Sequence, residues 1–282
     1  MLRKTLKYDL GAVYKIWLIL SATVLVLSVV GGLSIRDLVM TTDEGNPFML
    51  FSIMGVLVTV FSLSAFALII QLLVLFRYYQ NFFTDEAYLT FTLPVSRKTL
   101  FNSKLINGFI WSILSAAIVY LAIVIILALV PVNGNGTGSA LVEATDIIIE
   151  LIRSMFESFS GWAAVYCLLG GIIFLLATVL STLIIYACIT LGCTMVRKYK
   201  LLMAIGVYYA VNLVISVFSY VASFVMSLVL ISGIGLISNY SEGQIKVLVL
   251  FALIAVAAAL TVLSVLAYKF SLSRIEKNLN LA

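Results

Sequence analysis

The sequence predicts an all-α membrane protein that crosses the bilayer six times. Of its 282 residues, 63% are hydrophobic and only 10% are charged, and its mean hydropathy is +1.21. Soluble domains carry about 25% charged residues, because a folded globule needs a polar exterior. The apolar runs are long and continuous, which favours helices over the short alternating strands of a membrane β-barrel.

The residues before the first apolar run are basic and amphipathic. Leucines at helical spacing alternate with three cations, which predicts an interfacial helix over residues 1–11; a plain cytoplasmic tail is the alternative. Six apolar runs follow, and they predict membrane spans over residues 16–33, 47–76, 105–130, 161–192, 201–220 and 245–267. The whole chain, residues 1–282, therefore reads as a single transmembrane domain.

Prolines and polar residues set the limits of these spans. Pro47 opens the second span and Pro131 ends the third. Residues 140–160 predict an amphipathic helix that is too polar to span, so it lies on the outer surface or packs against the spans. Residues 201–237 form one apolar run that is longer than the ~20 residues that one span needs, so residues 219–237 are left over after the fifth span. They predict either short re-entrant helices before the last span or one long tilted helix.

The distribution of charge predicts the orientation. With six spans, 14 of the 17 basic residues and four of the 12 acidic residues fall on one side, which carries a net charge of +10 against −5 on the other. Only Arg36, Arg153 and Lys246 among the cations fall on the acidic side. Basic loops stay in the cytoplasm, so both termini are predicted to be cytoplasmic. The basic character indicates membrane orientation and not nucleic-acid binding.

Several functional classes fit the sequence poorly. The chain has no histidine and no charged residue near the centre of a predicted span, which counts against an ion-coupled transporter, an intramembrane enzyme and a metal site. It has no phosphate-binding loop, so ATP hydrolysis is not expected in this chain. Asn212 and Ser216 are polar residues of the fifth span; they serve helix packing or line a weakly polar translocation path.

The longest polar interruption on the predicted cytoplasmic side covers residues 77–104. Thr84 or Asp85 can begin a short helix, Pro94 ends it, and Ser96 can cap the helix that enters the third span. This pattern predicts a short bent element joined to a span, suited to contact with a cytoplasmic partner. An interfacial loop with no role beyond topology is the alternative.

Residues 85–105, DEAYLTFTLPVSRKTLFNSKL, resemble the segment between the second and third spans of bacterial ATP-binding-cassette (ABC) type-2 exporter permeases. Those chains characteristically carry a Leu-Pro-(Val/Ile)-Ser-Arg-like string and then an aliphatic helix with a lysine. The remainder of the chain is similar to the family only in its six-span architecture. The helix predicted over residues 140–160 is longer than the loop of many members, which leaves its role open.

The resemblance implies a permease that works with a separate ABC ATPase subunit and a second permease copy, identical or different. ATP and Mg²⁺ would be used by the partner, and this chain would bind no cofactor. Residues 1–11 would be an elbow helix, and the re-entrant form of residues 219–237 is favoured. The coupling helix lies in residues 85–96, here called the coupling segment, and the residues expected to contact the ATPase are Asp85, Glu86, Tyr88, Leu89, Thr90, Leu93, Pro94, Ser96 and Arg97.

The expected function is export of an amphipathic or hydrophobic substrate (a peptide, lipid or antibiotic) across the bacterial cytoplasmic membrane. The chain itself is expected not to be an enzyme, and its surroundings are membrane lipids. The chief alternative is a non-transport structural or immunity protein whose cytoplasmic loop docks a partner. A secondary transporter that works without ATP is the other alternative.

Overall fold

A computed structural model of the chain describes residues 2–40, 48–84, 87, 92, 95–131, 138–159, 162–196, 199–237 and 242–278. The regular structure within these ranges is helical, and the single pair of bridged residues, Pro131 and Ser139, forms no strand. The seven helices are α1 (Leu2–Met40), α2 (Phe48–Phe83), α3 (Arg97–Leu129), α4 (Ala140–Phe159), α5 (Ala163–Met195), α6 (Lys200–Ile237) and α7 (Glu242–Asn278).

Six of these helices, all but α4, are long and apolar enough to cross a membrane. Each of these helices corresponds to one of the six predicted spans. Of the residues in the predicted spans, Pro47, Val130 and residues 161 and 162 fall outside the bounds of the helices. The prediction of an all-helical, multi-pass membrane protein is therefore confirmed at this level.

The helix between the third and fourth spans is where the sequence predicted it. It was expected over residues 140–160 and runs over Ala140–Phe159. The Ala140 amide donates to the Val130 carbonyl at 2.7 Å, which holds the start of α4 beside the end of α3. The apolar side chains Ile147, Ile148 and Leu151 are exposed, so the described part of the chain does not cover them.

The predicted interfacial helix is not a separate element, because α1 is continuous from Leu2 to Met40. Residues 11–16, Gly-Ala-Val-Tyr-Lys-Ile, contain no proline, and a single glycine costs a helix only about 1 kcal/mol. The helix of the basic start therefore propagates into the first span. Whether the first turns lie along the membrane surface stays a prediction.

The long apolar stretch before the last span forms one helix. α6 is unbroken from Lys200 to Ile237 and includes Gly233 and Gly235. This is the long-helix alternative, and the re-entrant helices favoured by the resemblance do not form in this backbone. A continuous helix satisfies every internal peptide group, which is costly to give up inside lipid.

The chain divides into two compact units, Met1–Arg77 with Asn102–Met155, and Tyr78–Phe101 with Phe156–Ala282. In the first unit α1 and α2 run antiparallel. The Thr59 hydroxyl lies 3.1 Å from the Leu27 carbonyl of α1 and 2.8 Å from the Gly55 carbonyl of its own helix, and the Ser52 hydroxyl donates to Asp37 at 2.9 Å. Between these contacts a Cβ on Gly55 would collide with the Ser34 hydroxyl. Small residues thus let two helices approach closely, as in other membrane bundles.

In the second unit α5 packs against both α6 and α7. At one end of α5, Gly192 lies directly against the backbone of Ala204, where a Cβ would meet the Ala204 Cα. At the other end, the Tyr166 hydroxyl donates to the Lys246 carbonyl at 2.8 Å. α5 is therefore the central helix of this unit, held at both of its ends.

Candidate functional site

The predicted coupling segment is described only at its edges. Most of the residues predicted to contact an ATPase lie outside the described residues: Asp85, Glu86, Tyr88, Leu89, Thr90, Leu93 and Pro94. Ala87 and Thr92 have helical backbone, and the Ala87 amide donates to the Thr84 carbonyl at 2.8 Å. The described residues around the segment belong mainly to the end of α2 and the start of α3.

Ser96 caps α3, as the sequence predicted. The Ser96 hydroxyl accepts a hydrogen bond from the Thr99 amide at 3.3 Å, and the Ser96 carbonyl accepts from the Thr99 and Leu100 amides at 3.0 and 3.1 Å. These bonds satisfy amides of the first turn that have no partner within the helix. The cap fixes the residue at which the coupling segment ends and the helix begins.

A buried group of rings lies on both flanks of the segment. This aromatic cluster consists of Tyr78, Phe82, Phe83, Phe101 and Tyr186. Tyr78 stacks on Tyr186 with ring centroids 4.2 Å apart, and Phe101 meets Tyr78 edge-on at 6.3 Å. All five side chains are buried. The last turns of α2 and the first turn of α3 are therefore packed onto the same part of α5.

One hydrogen bond fixes the cluster to α5. The Tyr78 hydroxyl lies 2.8 Å from the Thr190 hydroxyl, and Thr190 donates its own proton to the Tyr186 carbonyl at 2.7 Å. A threonine hydroxyl has a single proton, so Tyr78 must be the donor to Thr190. The three groups form a short directed chain in a region with little water, where losing one partner is costly.

The start of α3, which follows the coupling segment, also contacts α7. The Arg97 guanidinium donates to the Ile275 carbonyl at 3.2 Å, and the Phe101 ring lies 5.5 Å from Tyr268. Ile275 is fully buried. Arg97, predicted as a contact for the ATPase, thus also has a bond within its own chain. The first two turns of α3 therefore contact both α5 and α7.

A separate polar contact lies in the first unit, on the second turn of α3. Lys104 forms an ion pair with Asp9 of α1, and the Ser103 hydroxyl donates to the same carboxylate at 3.3 Å. Lys104 is buried and Asp9 nearly so. A lysine buried this far needs a charged partner, which explains why the only acid of the first α1 turns faces α3.

The residues predicted to line a translocation path bond within their own helix. The Asn212 amide donates to the Tyr208 carbonyl at 3.0 Å, and Ser216 donates to the Asn212 carbonyl. Asn212 is half-buried and Ser216 is exposed. Bonds of this kind satisfy polar groups on an apolar helix without a partner helix. The translocation path stays a prediction.

Sequence reasoning missed the aromatic cluster and the Asp9 contact. Tyr78 and Thr190 are 112 residues apart, and Asp9 and Lys104 are 95 apart, so no local pattern joins them. The signals present were a tyrosine and two phenylalanines beside a polar segment, and a single acid in a basic stretch. Within the described ranges, no three His, Cys, Asp or Glu side chains come together as a metal site would require.

Comparison of the chain with models of protein families, with curated proteins and with solved structures finds no match.

Proposed function

We propose that this protein is the membrane-spanning permease subunit of an ATP-driven ABC exporter in a bacterial cytoplasmic membrane, with both termini in the cytoplasm. The observation that carries the proposal is the anchoring of both flanks of the coupling segment. Residues that resemble the family's coupling region are preceded by Tyr78, Phe82 and Phe83 and followed by a capped α3 start, all packed within one unit. A segment that receives force from a partner needs such anchors.

The anchors supply a route for the force. When two ATPase subunits close on ATP and Mg²⁺, the coupling segment moves with them. Tyr78 and Phe101 then carry that movement to α5 through Tyr186 and Thr190. The Arg97 bond carries it to α7. Packed helices shift between discrete arrangements instead of bending continuously, which gives a two-state change in the bundle. The substrate, an amphipathic or hydrophobic molecule, would leave through a path between two permease copies.

Co-purification tests the proposal. The tagged full-length chain is expressed in its native host and purified in mild detergent, and a permease should bring down a phosphate-loop ATPase whose turnover falls when the permease is removed. Folded, full-length protein without an ATPase would contradict the proposal and favour the non-transport alternative. Transport driven by an ion gradient without ATP would favour a secondary transporter.

Single substitutions in the coupling segment test the site. Glu86→Arg and Leu89→Asp should uncouple ATP hydrolysis from transport, because each places a charge of the wrong kind at the predicted ATPase contact, while insertion into the membrane stays normal. Glu143→Arg on α4 makes the same charge change on the predicted outer side and serves as the control. Normal coupling in both segment variants would move the ATPase contact elsewhere, with residues 197–200 the next candidate.

A further inference from the structure

A cleft lies in the first unit, between the last turns of α1 and the first turns of α2. Its volume is about 470 Å³, within the range of about 300–1,000 Å³ that is usual for sites that bind small molecules. Its lining includes Leu33, Arg36, Asp37, Phe48, Phe51 and Ser52.

The position of the cleft follows from the antiparallel packing of the two helices. Moving along α1, the partners on α2 are Thr59 for Leu27, Gly55 for Ser34 and Ser52 for Asp37. The cleft begins at the close contact that Gly55 permits and continues to the end of the helix pair. Since the predicted first span ends at residue 33, the cleft lies where the apolar layer gives way to water.

The walls of the cleft differ in chemistry. Leu33, Phe48 and Phe51 are exposed apolar side chains on its lining, whereas Arg36 and Asp37 are exposed charged ones. Arginines near helix ends extend to the depth at which lipid head groups lie, and phenylalanine rings favour the apolar layer beneath it. A molecule that fills this cleft therefore has an apolar part and a charged part.

The charges of Arg36 and Asp37 determine which kind of lipid head group fits the cleft. Arg36 presents a planar guanidinium with five N–H donors, which suits a phosphate. Asp37 accepts the Ser52 hydroxyl at 2.9 Å, and its negative charge attracts an ammonium group. The described lining presents one cation, Arg36, and one anion, Asp37, so a head group that carries both charges complements it better than one with a negative charge alone.

We propose that this cleft binds a zwitterionic phospholipid with a primary ammonium group, that is, a phosphatidylethanolamine. The phosphate binds Arg36, the ammonium lies towards Asp37, and the acyl chains run along Leu33, Phe48 and Phe51. This site is distinct from the coupling segment, and its existence does not depend on an ATPase partner.

Native mass spectrometry of the full-length chain tests this assignment. The protein is presented with equal amounts of phosphatidylethanolamine, phosphatidylcholine and phosphatidylglycerol of identical acyl composition. Retention should be highest for phosphatidylethanolamine and lowest for phosphatidylglycerol. Arg36→Gln should reduce retained phosphatidylethanolamine about tenfold, the effect of one charge-assisted contact. Asp37→Asn should raise phosphatidylglycerol relative to phosphatidylethanolamine, because it removes the repulsive carboxylate.

The matched control is Arg153→Gln, which removes another arginine from the predicted outer side and should leave retention unchanged. Equal retention of all three lipids, or unchanged retention in a folded Arg36→Gln protein, would overturn the proposal. Water-soluble phosphoethanolamine provides a second arm. If it displaces the lipid at equal concentration, the site recognises a free head group and the lipid assignment is wrong. Since the assay contains no ATPase, its failure leaves the exporter proposal untouched.

Discussion

The two ends of α2 carry the same kind of side chain in opposite surroundings. Phe48 and Phe51 at its start are 66% and 77% exposed, whereas Tyr78 and Phe82 near its end are 1% and 0% exposed. One helix thus begins with rings that line an open cleft and ends with rings inside the aromatic cluster. Hydropathy does not predict this difference, because the buried end lies in the polar stretch that begins at residue 77 and the exposed end lies in an apolar span.

The difference lies in what the neighbouring elements bring to each end. Tyr186 and Thr190 supply a stacking ring and a hydroxyl to the end of α2. The start of α2 meets Ser34 and Asp37, which are a small residue and an exposed charge. In lipid, helices associate through packing and hydrogen bonds and gain little from hydrophobicity itself. The buried end is therefore a structural anchor, and the exposed end is available to lipid or ligand.

Truncating one ring at each end of α2 should give the largest difference in the free energy of unfolding. Phe82→Ala leaves a cavity in a fully buried site and should lower the free energy of unfolding by about 3–5 kcal/mol. Phe51→Ala removes a largely exposed ring and should lower it by less than about 1 kcal/mol. SDS-driven unfolding in mixed micelles, followed by tryptophan fluorescence, measures both. Equal losses in the two variants would break the distinction between the ends.

Removing the acceptor of the Tyr78–Thr190 hydrogen bond should lower the free energy of unfolding more than removing its donor. Thr190→Val leaves the Tyr78 hydroxyl buried without an acceptor and should cost about 1–3 kcal/mol, while Tyr78→Phe removes the donor itself and should cost about 1 kcal/mol. The double variant should be more stable than Thr190→Val alone, because no unpaired donor remains. The same unfolding assay, applied to the wild type, the two single variants and the double variant, completes a double-mutant cycle. Strictly additive losses would show that Tyr78 does not donate to Thr190.

The smallest effect should come from a buried group that lacks a hydrogen-bond partner. The Asn107 side-chain oxygen is buried, and among the described residues nothing donates to it. Asn107→Leu removes that unpaired acceptor and keeps the volume, so the free energy of unfolding should stay within about 1 kcal/mol of the wild type or rise. A thermal shift assay would detect the change. A loss as large as that of Phe82→Ala would mean that Asn107 has a partner in the membrane.

The helices could be predicted from sequence because their signals are local. Pro131, Ser96 and the charge spacing of residues 140–160 each act within a few residues, and the observed α3 and α4 agree with them. Local signals say less about where one helix passes into the next. The interfacial helix was predicted as an element before the first span, yet α1 is continuous from Leu2. Residues 219–237 allowed either re-entrant helices or one long helix, and α6 has the long form, since unpaired peptide groups in lipid cost more than a glycine does.

The candidate site could be predicted only in part, because its contacts join distant positions. The coupling segment is a prediction from composition and from resemblance to a family, whereas the cap at Ser96 was predicted from residue type and is present in the structure. The aromatic cluster depends on which face of α5 meets α2, and the Asp9 contact depends on how α1 meets α3. The sequence pattern of a helix does not show which other helix it packs against. The tertiary structure was therefore needed to find the aromatic cluster and the Asp9 contact.

The continuity of α1 links two features of the first unit that otherwise have nothing in common. Asp9, which pairs with Lys104, lies near one end of this helix, and Asp37, on the lining of the cleft, lies near the other. The two are separated by about 42 Å at 1.5 Å per residue, and none of the chain's three prolines falls within α1. A stiff rod of this length, rocking by about 10° about Asp9, would displace the cleft end by about 7 Å. The occupancy of the cleft would then influence the tilt of α1 at the predicted cytoplasmic face.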